Sequence, residues 1–293
     1  MCRSTHKLFY SYCLGGVTIC IDRTGEMMQN LVFHPFMQEL GQPDITVALD
    51  ERQDLVWPTG EPLFSNFAFS IYPDGEGGYL RLYHDHKEGD RPYAIGRIAP
   101  DGRSETVDYL ADSAEFFSET QNTFSHIALE ELLLHRDRII LHASFIASEL
   151  GGILFSGPSG VGKSTQAALW ERFEGARQIN GDRPILGRED DRWIAYGSPY
   201  AGSSRCHVNE SCPVRAIVLL EQGAENRLTR LTVGQAFHRL FAQTTVNSWN
   251  PWFVERVCDL VSHLAASVPV YCLSCTPDRR AVETLKTALK GEK

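Results

Sequence analysis

The segment Gly157-Pro158-Ser159-Gly160-Val161-Gly162-Lys163-Ser164 constrains this chain more than any other stretch. It matches the pattern G-x-x-x-x-G-K-[ST], follows the apolar run Gly152-Ile153-Leu154-Phe155-Ser156, and precedes a stretch from Thr165 to Phe173 that reads as a helix. Strand, glycine-rich loop and helix in that order are the setting a phosphate-binding loop requires. Glycines let consecutive backbone N–H groups turn inward toward an anion, and the helix that follows adds the positive end of its dipole. Gly157, Pro158, Ser159, Gly160, Val161, Gly162, Lys163, Ser164 and Thr165 are therefore the candidate nucleotide-binding residues. Lys163 is expected to reach the β- and γ-phosphates and Ser164 to offer its hydroxyl to Mg²⁺, which makes ATP and Mg²⁺ the expected cofactors.

Bulk properties narrow the partners. The 293 residues carry a formal charge of −9 and no Lys/Arg-rich run, so the electrostatic footprint of a nucleic-acid binder is missing. No stretch reaches the ~18 apolar residues of a membrane helix, and the start leads into an aromatic strand-like run. A cytoplasmic location with reduced thiols is the expectation for the eight cysteines. Cys272 and Cys275 form the one close pair, a redox or zinc half-site on paper, yet no second CxxC completes a ligand set and apolar thiols on a strand are the simpler reading.

Up to about residue 117 the chain reads as short strands and turns. Leu8 to Cys20 surrounds Gly15-Gly16, Tyr79 to His84 alternates with period two, and Tyr93–Ile98 and Thr106–Leu110 flank Pro100-Asp101-Gly102. From 118 the period changes: Phe124, Ile127, Ala128 and Leu132 fall at helical spacing, and a helix is expected to end near His135. Apolar runs at 139–146 and 152–156 read as buried strands. Short strands at 178–180 and 215–221, amphipathic helices at 233–243 and 253–266, a strand at 268–273 and a last helix after Pro277 complete the pattern. The expected organisation is a β-rich N-terminal domain at 1–117 and an α/β P-loop domain at 118–293.

Phosphoryl transfer needs a group beside the γ-phosphate to handle the attacking hydroxyl. Asp182 stands 19 residues after Lys163, where the strand following the P-loop helix would end. A carboxylate there can accept the hydroxyl proton or hold Mg²⁺. His142, 21 residues before Lys163, lies in an apolar strand and is either a satisfied core residue or part of the site. Arg183 adjoins Asp182 and is suited to steadying the transferred group. Arg205 ends the glycine- and hydroxyl-rich loop from Tyr196, a second candidate for phosphate or substrate contact.

His142, the loop Gly157 to Ser164 and the segment Ile179-Asn180-Gly181-Asp182 together resemble the HPr kinase/phosphorylase family and its relatives. That family carries a His before a G-x-S-G-x-G-K-S loop and an Ile-x-Asp-Asp segment after the P-loop helix. The likeness covers about 139–221 and implies the phosphoenolpyruvate-carboxykinase-like fold, a mixed, strongly twisted sheet. It also implies Asp182 as general base or magnesium partner, with His142 orienting or tuning it. Gly181 stands where the family has its first aspartate, and the family's later substrate-side signature is not found. The pattern is more similar to the related enzymes that modify ribosomal peptides of the lasso type. The expected activity is an ATP-dependent kinase acting on a hydroxyl, foremost a Ser or Thr of a peptide or protein. The alternatives are a small-molecule hydroxyl kinase and a nucleotide-sensing regulator without chemistry. A second copy of the chain stays open as a partner.

Overall fold

A computed structural model describes residues 7–85 and 91–291. The chain divides into two compact units, one ending at Arg136 and the other beginning at Asp137.

The first unit is a mixed nine-stranded sheet. Its strands are β1 (Lys7–Leu14), β2 (Val17–Thr24), β3 (Met37–Gln38), β4 (Ile45–Arg52), β5 (Phe64–Ser65), β6 (Phe69–Pro73), β7 (Tyr79–Asp85), β8 (Arg91–Ile98) and β9 (Ser104–Leu110), in the order β3-β1-β2-β4-β9-β8-β7-β6-β5. β1 and β2 form the hairpin expected from Gly15-Gly16, whose φ values of 63° and 73° are those of a two-residue primed turn. β4, which the sequence reading did not separate, runs parallel to both β2 and β9. The helical stretch from 118 forms two short helices, α1 (Thr120–Ser125) and α2 (Leu129–Leu134), instead of one. The break has a local cause. The N–H of His126 turns back to Thr123 O, and the N–H of Ala128 is taken by the Glu105 carboxylate at 3.0 and 3.2 Å, so the ladder cannot continue through it. Phe124, Ile127, Ala128, Leu132 and Leu133 are all buried regardless, so the apolar spacing is satisfied without a continuous helix.

The second unit carries the sequence motif. Its elements are β10 (Arg138–Ile140), β11 (Ala143–Ser148), β12 (Gly151–Ser156), α3 (Lys163–Glu174), β13 (Arg177–Asn180), β14 (Ile185–Glu189), β15 (Arg192–Tyr196), β16 (Ser211–Gln222), β17 (Arg227–Arg230), α4 (Val233–Phe241), α5 (Pro251–Ser267), β18 (Val270–Cys275) and α6 (Arg279–Gly291). The main path of the sheet is β10-β14-β15-β16-β12-β11-β13, with β18 joined to β16 and β17 to β18. β12, β16 and β18 run parallel and the other pairings are antiparallel, which makes the sheet mixed. β16 is long enough to serve two neighbourhoods, pairing with β15 through Ser211–Pro213 and with β12 and β18 further along.

Ile153 and Phe155 on β12 pack with Ala167 and Trp170 of α3, Val218 and Leu220 of β16, and Val282 and Leu285 of α6. Burying side chains of this size stabilises the unit by roughly 1.5–3 kcal/mol each. The result is a rigid support beneath the end of β12. α3 terminates at Gly175, whose left-handed φ of 65° lets its N–H close on Glu171 O and Trp170 O.

The Cys272 and Cys275 pair resolves simply. Residues three apart on a strand point to opposite faces, and the two thiols do so. Cys272 Sγ accepts from Arg239 Nη1 at 3.2 Å, whereas Cys275 Sγ accepts from Gln166 Nε2 at 3.3 Å and packs against the core under α3. They make neither a chelate nor a disulfide, both thiols are free, and burial pushes each of them up in pKa. Among the described residues no three His, Cys, Asp or Glu side chains gather as a metal cluster, and no helix is long and apolar enough to cross a membrane.

Candidate active site

The loop between β12 and α3 has the backbone its sequence demands. Gly157, Gly160 and Gly162 adopt φ of 141°, 79° and 114°, values a side-chain-bearing residue rarely reaches. Space is not the constraint at Gly160 and Gly162, since a Cβ added at either would touch nothing within 4 Å; the constraint is the turn itself. α3 starts at Lys163 with no side-chain cap, so the first-turn N–H groups face the loop. Lys163, 8% exposed, donates through Nζ to Gly157 O at 3.0 Å and Pro158 O at 3.1 Å, curling its ammonium over the loop it must serve. Ser164 and Thr165 are exposed on the first turn, and Gln222 at the end of β16 donates to Gly160 O at 3.4 Å. The open cradle, the uncapped helix start and the ammonium over it fit a triphosphate.

β11 runs antiparallel to β12, so the residue preceding β11 meets the residue at the end of β12. Ser156 Oγ donates to His142 O at 2.8 Å. The turn after β13 is tied to the same place, Ala143 N donating to Asp182 O at 3.0 Å and Leu141 N to Pro184 O at 3.2 Å. His142 Nε2 consequently lies 3.3 Å from Asp182 Oδ1, and Arg183 Nε lies 3.5 Å from Asp182 Oδ2. All three side chains are partly exposed.

Electrostatics link this cluster to the P-loop. Partial burial lowers the His142 pKa, the Lys163 charge lowers it further, and Asp182 and a side-chain hydrogen bond with Gln243 oppose the shift. Lys163 is itself lowered, first by burial, while Asp182 pulls it up and Arg183 pushes it down. Charges interact appreciably only over a few ångströms in such a partly shielded setting. The backbone agrees: Ser156, the residue just before the loop, bonds to His142 O, and Ala143 N to Asp182 O, so the candidate residues Lys163, His142, Asp182 and Arg183 belong to adjoining segments.

Several members of the site were not singled out from sequence. Asn180, 1% exposed, accepts through Oδ1 from the N–H of Asp182 at 3.0 Å and of Arg183 at 2.8 Å. Its Nδ2 donates to Ser198 O at 2.9 Å, Ser198 Oγ at 3.2 Å and Tyr200 O at 3.3 Å. The segment after α4 runs alongside: Gln243 O accepts from His142 N at 2.8 Å, Thr245 N donates to Ile140 O, and Arg183 Nη1 donates to Thr245 Oγ1 at 3.2 Å. The glycine-rich loop from Tyr196 folds against Asp182, where a Cβ on Gly202 would come within 2.9 Å of Asp182 Cβ. Arg205 is on that loop with its side chain exposed, and the ion pairs seen at Asp182 are with His142 and Arg183. Gly181 is closed to any side chain, because a Cβ there would lie 1.6 Å from Ser204 Oγ and 2.8 Å from Ala201 O. Glycine at position 181 is thus built into the fold of this loop.

No family model and no curated protein matches this chain. Among solved structures it is similar to the HPr(Ser) kinase/phosphatase from Coxiella burnetii, with a TM-score of 0.32 and 15% identity over 52% of this chain and 93% of that one. A superposition that loose carries no argument, and the functional reading stands on the residues above.

Proposed function

We propose that this chain is an ATP-dependent kinase that transfers the γ-phosphoryl group to a hydroxyl, foremost a Ser or Thr of a peptide or protein. One observation supports the reading: the strand that leads into the P-loop ends at Ser156, which bonds to His142 O, and His142 Nε2 stands 3.3 Å from Asp182 Oδ1, so a phosphate-binding loop adjoins a carboxylate able to accept a proton.

When bound, Mg²⁺-ATP supplies the activated γ-phosphoryl group. The N–H groups of 159–164 and the Lys163 ammonium would hold the phosphates and offset charge on their oxygens, where most of the rate of such reactions arises. The Ser164 hydroxyl, exposed on the first turn of α3, would offer an oxygen ligand to Mg²⁺. Asp182 accepts the proton of the incoming hydroxyl. His142, kept neutral at pH 7 by its lowered pKa, stands against Asp182 Oδ1 and limits where that carboxylate can turn. Arg183, steadied by Thr245, presents a partly exposed guanidinium beside the transfer path.

The test is mass spectrometry of a mixed pool of Ser- and Thr-containing peptides incubated with protein and Mg²⁺-ATP. A mass gain of one phosphate that vanishes with Asp182→Ala supports the kinase. Full transfer by that variant removes Asp182 from the mechanism, and transfer only to small-molecule alcohols moves the acceptor class.

A further inference from the structure

Asp182 and Arg183 sit in a turn between β13 and β14, and a turn leaves its side chains free to wander unless something holds the backbone. Here the holding group is a single buried amide. Asn180 spends its acceptor on the two N–H groups that carry the site, those of Asp182 and Arg183, and its donor on the opposite loop at Ser198 and Tyr200. Ser198, fully buried, closes the ring by donating from Oγ to Arg183 O at 2.6 Å. Both peptide groups flanking Arg183, and the N–H of Asp182, are thus fixed by two side chains that have no access to solvent. A third tie comes from Ala143 N to Asp182 O, which anchors the same turn to the first residue of β11, next to His142.

No other side chain suits the position. Asn offers an acceptor and two donor hydrogens on one planar group, and here it spans two loops with both ends engaged. An aspartate keeps the acceptor but presents a second acceptor to three oxygens, and an alanine removes the side-chain partner of the Asp182 and Arg183 N–H groups.

We infer that Asn180, with Ser198, is a positioning residue for the transfer step: it sets where the Asp182 carboxylate and the Arg183 guanidinium stand relative to the P-loop. This inference rests on the kinase reading of the same site. The amide is buried and engaged at both ends, and it acts through the two residues it holds.

The experiment compares wild type with Asn180→Asp, Ser198→Ala, Asp182→Asn and the double variant Asn180→Asp/Asp182→Asn. The readouts are the melting temperature, kcat and KM for ATP with the Ser/Thr peptide pool, and Mg²⁺-ATP binding by calorimetry. Asn180→Asp is expected to lower kcat about tenfold or more with KM for ATP within about twofold, because Gly157–Ser164 is untouched. Ser198→Ala, which introduces no charge, should lower kcat severalfold in the same pattern. The double variant should be slowed by clearly less than the product of the two single effects, since the share of the Asn180 effect that runs through Asp182 has nothing left to position. Should Asn180→Asp misfold, Ser198→Ala decides by the same kcat-to-KM split. Folded variants with wild-type kcat, or a double variant slowed by the product of the two single effects, overturn the positioning role and leave the kinase standing. A wild-type protein that transfers no phosphoryl group overturns the kinase reading and this inference with it.

Discussion

His142 Nε2 stands 3.3 Å from Asp182 Oδ1, and the main chains of the same two segments are joined by the bond from Ala143 N to Asp182 O. The pair is thus fixed by backbone, while the lowered pKa keeps the imidazole neutral near pH 7. The imidazole therefore adds no charge to that of Arg183, whose Nε stands 3.5 Å from the other carboxylate oxygen.

Asp182→Asn preserves size and the backbone bonds and removes only the proton acceptor. Transfer to peptide hydroxyls is expected to fall about 100- to 10,000-fold, the usual worth of a positioned general base. Affinity for Mg²⁺-ATP by calorimetry should change severalfold at most. A large loss of affinity that added Mg²⁺ restores would assign Asp182 to the metal instead.

Lys163→Met tests the phosphate end. The methionine keeps the buried stem and drops the ammonium, which now bonds to Gly157 O and Pro158 O. Mg²⁺-ATP affinity should fall by at least tenfold, and transfer with it, while the fold persists because a lowered lysine pKa already marks burial of that charge as unfavourable. Unchanged affinity would contradict the phosphate site as a whole.

Gly181→Asp would restore the aspartate pair of the resembled family, but this loop has no room for it. The new Cβ meets Ser204 Oγ and the backbone oxygen of Ala201, which a rotamer change of Ser204 cannot clear. A loss of roughly 1–3 kcal/mol is expected, as for other overpacked positions, read as a lower urea midpoint, and transfer should not rise. A variant as stable as wild type would show that the loop 198–206 adjusts freely, against the clamp at Asn180.

What could be read in advance follows from how local each signal is. The P-loop lies within eight consecutive residues, and Asp182 follows from one helix and one short strand, so both were legible. The resemblance drew attention to His142, and β-sheet pairing alone brings it to Asp182. Asn180, Ser198, Gln243 and Thr245 gave no such signal. Asn180 ends a short strand and the other three lie in connecting segments, and what ties them to the candidate site is hydrogen bonding across the sheet end. The single helix expected before residue 135 failed for a related reason. Glu105 takes the N–H of Ala128 from outside the segment, so no inspection of that segment could reveal the break.

His126, at the same break, offers a pH test of the first unit. Its ring is buried against Tyr83, Tyr93 and Phe117, with Nδ1 2.7 Å from Asn122 O and Nε2 2.6 Å from Tyr93 Oη. A neutral ring satisfies both, donating from Nδ1 and accepting at Nε2, whereas protonation adds a charge in an apolar pocket. Burial accordingly lowers its pKa to about 4. Between that value and the ordinary imidazole range near 6.5, the unfolded chain binds a proton that the folded chain refuses, so stability must fall as pH falls. The contribution is full above about pH 6.5 and shrinks by about 2 kcal/mol at pH 5. Urea unfolding at pH 7 and pH 5, taken as wild type minus His126→Gln, isolates this slope from the other titrating groups. A difference that stays flat between the two pH values would mean that His126 is protonated inside the fold.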